Sequence, residues 1–324
     1  MTAGLISVTL LLGAVVLALA GPWLLRSAAP ALMRIPRATV LLLPAVIAIW
    51  LGAVLAIGPM LAWSGSGPAL IPESAALVCQ RCLVAANPLA IGTTDTAVPS
   101  LLLLLVPVVL VVGLGIGALG ALVRRARRSR AAARSLRACA RTRTIAGHPV
   151  SVIESDHPVA MALPGRHGGI VVSTAALDRL TDDELSAVIA HERAHVEEHH
   201  HAILALVESV AAYLRWIPLV RSIADSLPHY VEIAADKRAR AAAGTPALVG
   251  ALLALGDRDA SDAPGFAAAL HANGPHRIRE IVQPSSGAAG ALSAGLIAVG
   301  LSALALVAAL VHVPYVLAVL GGCA

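Results

Sequence analysis

The segment AHERAHVEEHHHA, residues 190–202, sets five histidines and three glutamates within thirteen positions. Imidazoles and carboxylates are side chains that hold divalent cations and move protons near neutral pH. His191, Glu192, Arg193, Ala194 and His195 spell H-E-x-x-H. Residues four apart on a helix share a face, so both imidazoles can meet one ion while Glu192, one step round, overhangs the open coordination position. Zinc suits that arrangement, because neutral imidazoles bind it and the open position takes a water of lowered pKa. Taken alone, the pentapeptide could be a chance pattern on a solvated helix face. Its setting argues against chance. TDDEL precedes it, where Thr181 can cap a helix and Glu184 can reach back to the Thr181 amide, so a long helix starts before the motif and carries it through the histidines.

A third ligand has to come from elsewhere. His201 stands where H-E-x-x-H-x-x-G-x-x-H would place a third histidine, but that spacing needs a glycine to fold the chain back, and Glu198 occupies its position. On an unbroken helix His201 would lie about 9 Å along the axis from His195 and on another side, too far to share the ion. We therefore expect His201 to be solvated or headgroup-facing. The better source is YVEIAADKRA, where Glu232 and Asp236 are four apart and so share one face of a second helix. Glu232 can bind the zinc, and Asp236 can accept a hydrogen bond from the outer nitrogen of a ligating histidine, His191, fixing its tautomer. The plain alternative is a charged surface helix on which Glu232 pairs with Lys237 or Arg238.

The elements that position these residues follow from pattern. PVSVIES, HPVAMALPG and GGIVVST read as three short strands around a Gly-rich turn, ahead of the motif helix. The rest of the chain is unusually apolar. Its 324 residues are 58% hydrophobic and 13% charged, with a mean hydropathy of +0.81, outside the range of soluble domains. Gly4–Leu25, Thr39–Trp63, Ala97–Val123 and Gly287–Val311 are each long enough to cross a bilayer, which takes about 20 apolar residues. The first has no basic residue ahead of it and is too long for a cleaved signal, so a retained helix is expected. A fifth apolar run, Ala202–Val220, contains Glu208 and Arg215 and is expected to be a core helix touching the membrane surface. A transporter or channel would carry ionisable residues inside its spans, and these four stretches carry none.

Arginine placement sets the expected orientation. Arg26, Arg34 and Arg37 lie between the first two spans, and nine arginines with no acidic residue fill 124–143 after the third. Both groups belong in the cytoplasm under the positive-inside rule. Residues 124–286 would then be cytoplasmic, and the 64–96 loop and both termini extracytoplasmic. A basic run flush against a membrane helix reads as topogenic and headgroup-binding, so no direct nucleic-acid partner is expected. Cys79 and Cys82 in the outer loop form CQRC, either a disulfide or a pair of thiols; Cys139 should stay reduced, and Cys323 has no evident role.

With these residues in place the chain resembles the gluzincin metallopeptidases, particularly the BlaR/MecR family of membrane peptidases and the related HtpX and CAAX-prenyl proteases. In that resemblance His191, His195 and Glu232 match the ligands of one zinc ion, Glu192 the catalytic base and Asp236 the acid behind a ligand. VAMALPGRHGGIVVST resembles the strand pair whose edge takes the substrate backbone by strand addition, and PHRIREI (275–281) the element that closes the domain. Tyr230, His276 and Arg277 are candidate oxyanion or substrate contacts. The β-lactam sensors of that family carry a penicillin-binding domain after their last helix, whereas this sequence ends at Ala324, and direct acylation by a β-lactam is not expected.

The implied fold is an α-helical membrane protein with four transmembrane helices and an inserted α+β, zincin-like metallopeptidase domain. Its divisions are 1–63, two N-terminal helices; 64–96, an extracytoplasmic loop; 97–123, a third helix; 124–286, the cytoplasmic peptidase; and 287–324, a C-terminal helix. The implied activity is zinc endoproteolysis of a cytoplasmic protein, a transcriptional repressor, in response to an envelope or antibiotic signal. The alternative is HtpX-like quality control of membrane proteins. The lipid bilayer is the other expected partner, and oligomeric state, a homo-oligomer included, stays open.

Overall fold

Among the described residues, four helices are long and apolar enough to cross a bilayer, as the sequence implied: α1 (Thr2–Leu32), α2 (Pro36–Ser64), α3 (Ser100–Ala138) and α8 (Ala291–Leu320). The computed structural model describes residues 2–66, 97–163, 169–256 and 290–321, with positions 72, 77, 80–84, 86–87 and 94–95. Cys82 is disulfide-bonded, while Cys79 and Cys323 lie outside the described residues. All four run past their expected C-terminal ends. Arginine is a good helix former, and α3 continues through the basic run to Ala138. The α8 helix passes through His312, whose Nε2 lies 3.0 Å from the Gly52 carbonyl of α2. Trp50 of α2 donates to the Ala14 carbonyl of α1 at 2.8 Å. Tyr315 of α8 stacks on Trp63 and donates to the Pro59 carbonyl at 2.8 Å.

The small mixed sheet has the order β1-β2-β4-β3, from β1 (Arg141–Ile145), β2 (His148–Ile153), β3 (Ala160–Leu163) and β4 (Gly169–Ser173). β2 and β4 run parallel, while β1 on β2 and β3 on β4 are antiparallel. β1 departs from the expectation, in which Arg141 and Arg143 only closed a basic run. It is an edge strand exposed at Arg141–Thr144, so it shows no apolar alternation. The two-residue turn Ala146–Gly147 has φ of 47° and 76°, the positive-φ pair that matches a hairpin's twist. β3 is the other edge. Ser173 fixes its entry, accepting from the Val159 amide at 2.8 Å while capping α4 (Thr174–Arg179).

The capping box at Thr181 and Glu184 opens α5 (Asp182–Glu197), whose Leu185, Val188 and Ile189 pack against Val150, Ile170 and Val172 of the sheet. The expectation of one unbroken helix through the histidines fails at its end. α5 stops at Glu197, His199 adopts φ 55° and ψ 32°, and α6 (His200–Leu214) starts in a new direction. No glycine is needed, because histidine is among the residues that enter the left-handed region most readily. α6 is the anticipated core helix of the fifth apolar run. Its Val207 and Ala211 are buried, its Tyr213 donates to the Gly117 carbonyl of α3 at 3.2 Å, and Trp216 beyond its end is exposed.

α7 (Pro218–Gly256) carries the second half of the constellation and breaks at Gly244, whose φ of 85° is costly for any residue with a Cβ. Its first half joins the membrane helices in one apolar core. Leu219, Val220, Ile223, Leu227 and Val231 are buried with Leu25, Leu43, Val46 and Trp50 of α1 and α2. The approach is close enough that a Cβ on Gly21 would stand 2.6 Å from Leu219. Past Gly244 the chain folds over α5 and packs Leu248 against Ala187.

Candidate metal centre

α5 and α7 lie side by side and bring three donors to one point. His191 Nε2 and His195 Nε2 stand 3.1 Å apart. Glu232 sets Oε2 3.4 Å from the first and Oε1 3.5 Å from the second. Ligands held about 2.0–2.1 Å from one tetrahedral ion are roughly 3.3 Å from one another, so these separations fit a zinc-sized ion without rearrangement. The same three residues form the only group of metal-competent side chains among the described residues. Asp236 Oδ1 lies 3.0 Å from His191 Nδ1 and can hold that ring with Nε2 bare. The surface-helix alternative for Glu232 does not hold. Arg238 turns instead to Glu197 and Glu198, and Lys237 donates to the Arg34 carbonyl at 3.1 Å.

Glu192 is buried at 3% exposure beside His191, lining a small crevice with Val188, Leu248, Ala251, Leu252 and Leu255. The segment after Gly244 supplies four of those side chains, so the carboxylate sits under an apolar cover. Tyr230 is buried in the core shared with α1 and α2, and burial pushes its phenol up to about 12. His276 and Arg277, and the element 275–281, lie outside the described residues.

His201, expected to be solvated or headgroup-facing, packs against protein, and His200 carried no expectation. His201 does not join the three ligand residues, but the cause is not distance along a continuous helix. The break at His199 brings its ring 6.0 Å from that of His195 and against the Ala162 backbone of β3. His200 was not singled out by sequence reasoning. It is 1% exposed, and its Nδ1 lies 3.2 Å from His195 Nδ1, on the side away from the ligand atoms. The signal for it would have been the helix break, which is not written in Glu198-His199 as it would be in a glycine.

Burial, reinforced by the His191 ring, lowers His195 from 6.5 to about 3, and burial lowers His200 and His201 too. These imidazoles stay neutral at physiological pH, as metal binding requires. In metal-free protein the sign follows: between about 6.5 and 3 the unfolded chain takes up protons that folded His195 refuses, so stability falls as pH falls. For His195 the slope approaches about 1.4 kcal/mol per pH unit within that window. We expect the thermal midpoint of detergent-solubilised, metal-free protein to be lower at pH 5 than at pH 7.5; equal midpoints would contradict it.

The model of peptidase family M48, a family of zinc metallopeptidases, matches residues 125–283. That span contains both histidines, Glu192, Glu232 and Asp236, so the sheet and α5–α7 form an M48 peptidase domain set among membrane helices. No curated protein and no solved structure matches the chain.

Proposed function

We propose that this chain is a membrane-embedded zinc endopeptidase of one ion per chain, with His191, His195 and Glu232 as ligands, Glu192 as catalytic base and Asp236 as the orienter of His191. The observation that carries the reading is the convergence of three donors at 3.1–3.5 Å with a buried carboxylate next to them. Bound zinc supplies Lewis acidity and lowers the pKa of water. Glu192 takes the proton of the attacking water and returns it to the departing amine. Its apolar cover removes competing solvent and strengthens each charge interaction in the crevice. The outer edge of β3 can take the substrate backbone as an added strand. The candidate donors for the developing oxyanion remain Tyr230, His276 and Arg277; the place of Tyr230 in the core shared with α1 and α2 suits packing.

For the substrate, three helices ahead of the peptidase favour the BlaR/MecR-type role: cleavage of a cytoplasmic repressor when an envelope or antibiotic signal reaches the domain through the 64–96 loop, the helices or a partner. The arginines of 26–37 and 124–143 support a cytoplasmic site and extracytoplasmic termini. Arg37 and the Arg34 carbonyl contact the peptidase domain, which is compatible with one shared side. A specific observation favours the second reading, HtpX-like quality control: the helix bearing Glu232 packs directly on α1 and α2, close to where a membrane substrate would lie. Comparing proteomes of cells carrying the wild type and Glu192→Gln separates them. One cleaved DNA-binding protein supports the regulator, and many membrane proteins support the housekeeper. No cleavage difference, with no zinc-dependent hydrolysis in purified protein, would overturn both.

A further inference from the structure

His191 has a carboxylate on its outer nitrogen; His195 does not. His195 Nδ1 faces another imidazole, His200 Nδ1, at 3.2 Å. His200 Nε2 lies 3.3 Å from Glu198 Oε2. The other oxygen of that carboxylate, Oε1, is 2.8 Å from Arg37 Nε and 3.4 Å from Arg238 Nη1. We propose that Arg37, Glu198 and His200 form a positioning chain that fixes the tautomer and orientation of His195, and that it reaches the site from membrane helix α2. The proposal rests on the metallopeptidase reading.

The proton placement along this chain is fully determined. A ring that offers Nε2 to a cation carries its hydrogen on Nδ1. His195 therefore donates through Nδ1–H, and His200 Nδ1 must accept. His200 then carries its own hydrogen on Nε2 and donates it to Glu198. The Glu198 carboxylate accepts from two guanidinium groups. Each link has one donor and one acceptor, and only one tautomer of each ring satisfies all of them. Without His200 the buried Nδ1–H of His195 loses its acceptor, and nothing stops the ring from exchanging tautomers and turning a protonated Nε2 toward the metal position.

The left-handed residue His199 makes the chain possible. On a continuing helix, residue 200 would point roughly 140° away from residue 195. The turn at His199 sets His200 behind the ring instead. Arg37 sits in the first turn of α2, and Lys237, next to Asp236, holds the Arg34 carbonyl of the same corner at 3.1 Å. The α1–α2 corner is thus tied to the backing of both ligating histidines.

Zinc affinity measured by chelator competition on the full chain in detergent tests this, together with the visible spectrum of the cobalt-substituted protein. H200A should weaken zinc about 10–100-fold and change the cobalt spectrum. H200Q keeps an acceptor for Nδ1–H and should recover much of the loss. R37A, at an exposed side chain, should weaken zinc roughly 2–5-fold and should add nothing in the H200A background. An unchanged affinity and spectrum in H200A would overturn the proposal; so would an R37A effect of equal size with and without His200. Should H200A fail to fold, H200Q and R37A carry the same test. A wild type that takes up no zinc removes the metallopeptidase reading itself, whereas zinc bound equally by wild type and H200A removes only the chain.

Discussion

Glu192→Gln keeps its zinc and loses turnover by about 10²–10⁴-fold. Glutamine preserves the shape and the neutral packing against Val188, Leu248 and Leu252 but cannot hold a proton between water and the leaving amine. Glu192 is not among the three residues whose donors converge, so its replacement leaves the cation cage whole. Single-turnover hydrolysis and zinc stoichiometry on the same preparation check both halves. Full activity in the variant would remove the base assignment, and loss of zinc would move Glu192 into the ligand set.

Glu232→Ala takes away the single carboxylate donor of the cage. The two imidazoles remain, with Asp236 still behind His191. Two neutral donors hold zinc far less firmly than two plus an anion, so the loss of affinity exceeds the roughly 10–100-fold typical of an outer partner, and hydrolysis goes with it. His201→Ala should bind zinc like the wild type, because His201 packs against the Ala162 backbone of β3 instead of joining the donors. Retained zinc in Glu232→Ala, or lost zinc in His201→Ala, would force a different ligand set.

The parts of this site that could be read in the sequence are those fixed by local geometry. H-E-x-x-H and E-x-x-x-D each place two side chains on one face by helical spacing alone, and Thr181 with Glu184 forms its cap within one turn. The membrane helices are legible for a similar reason, since length and apolarity decide them. What could not be read depends on distant partners. Glu198 looks like a solvated charge until Arg37, far earlier in the chain, and Arg238 close on it. The turn at His199, and with it the placement of His200 and His201, accompanies those contacts. β1 was hidden because an exposed, polar edge strand has no apolar period to detect. The end of α3 was missed because helix propensity outlasts hydropathy along the arginine run.

The core that α7 shares with α1 and α2 has a practical consequence. Residues 125–283 match the family model, but they are not a detachable unit. Trimmed to that stretch, the protein would present Leu219, Val220, Ile223, Leu227 and Val231 to water at roughly 25 cal/mol for each Å² laid bare, and would clump before it could be assayed. As the endopeptidase proposed, it would cut only what reaches the bilayer.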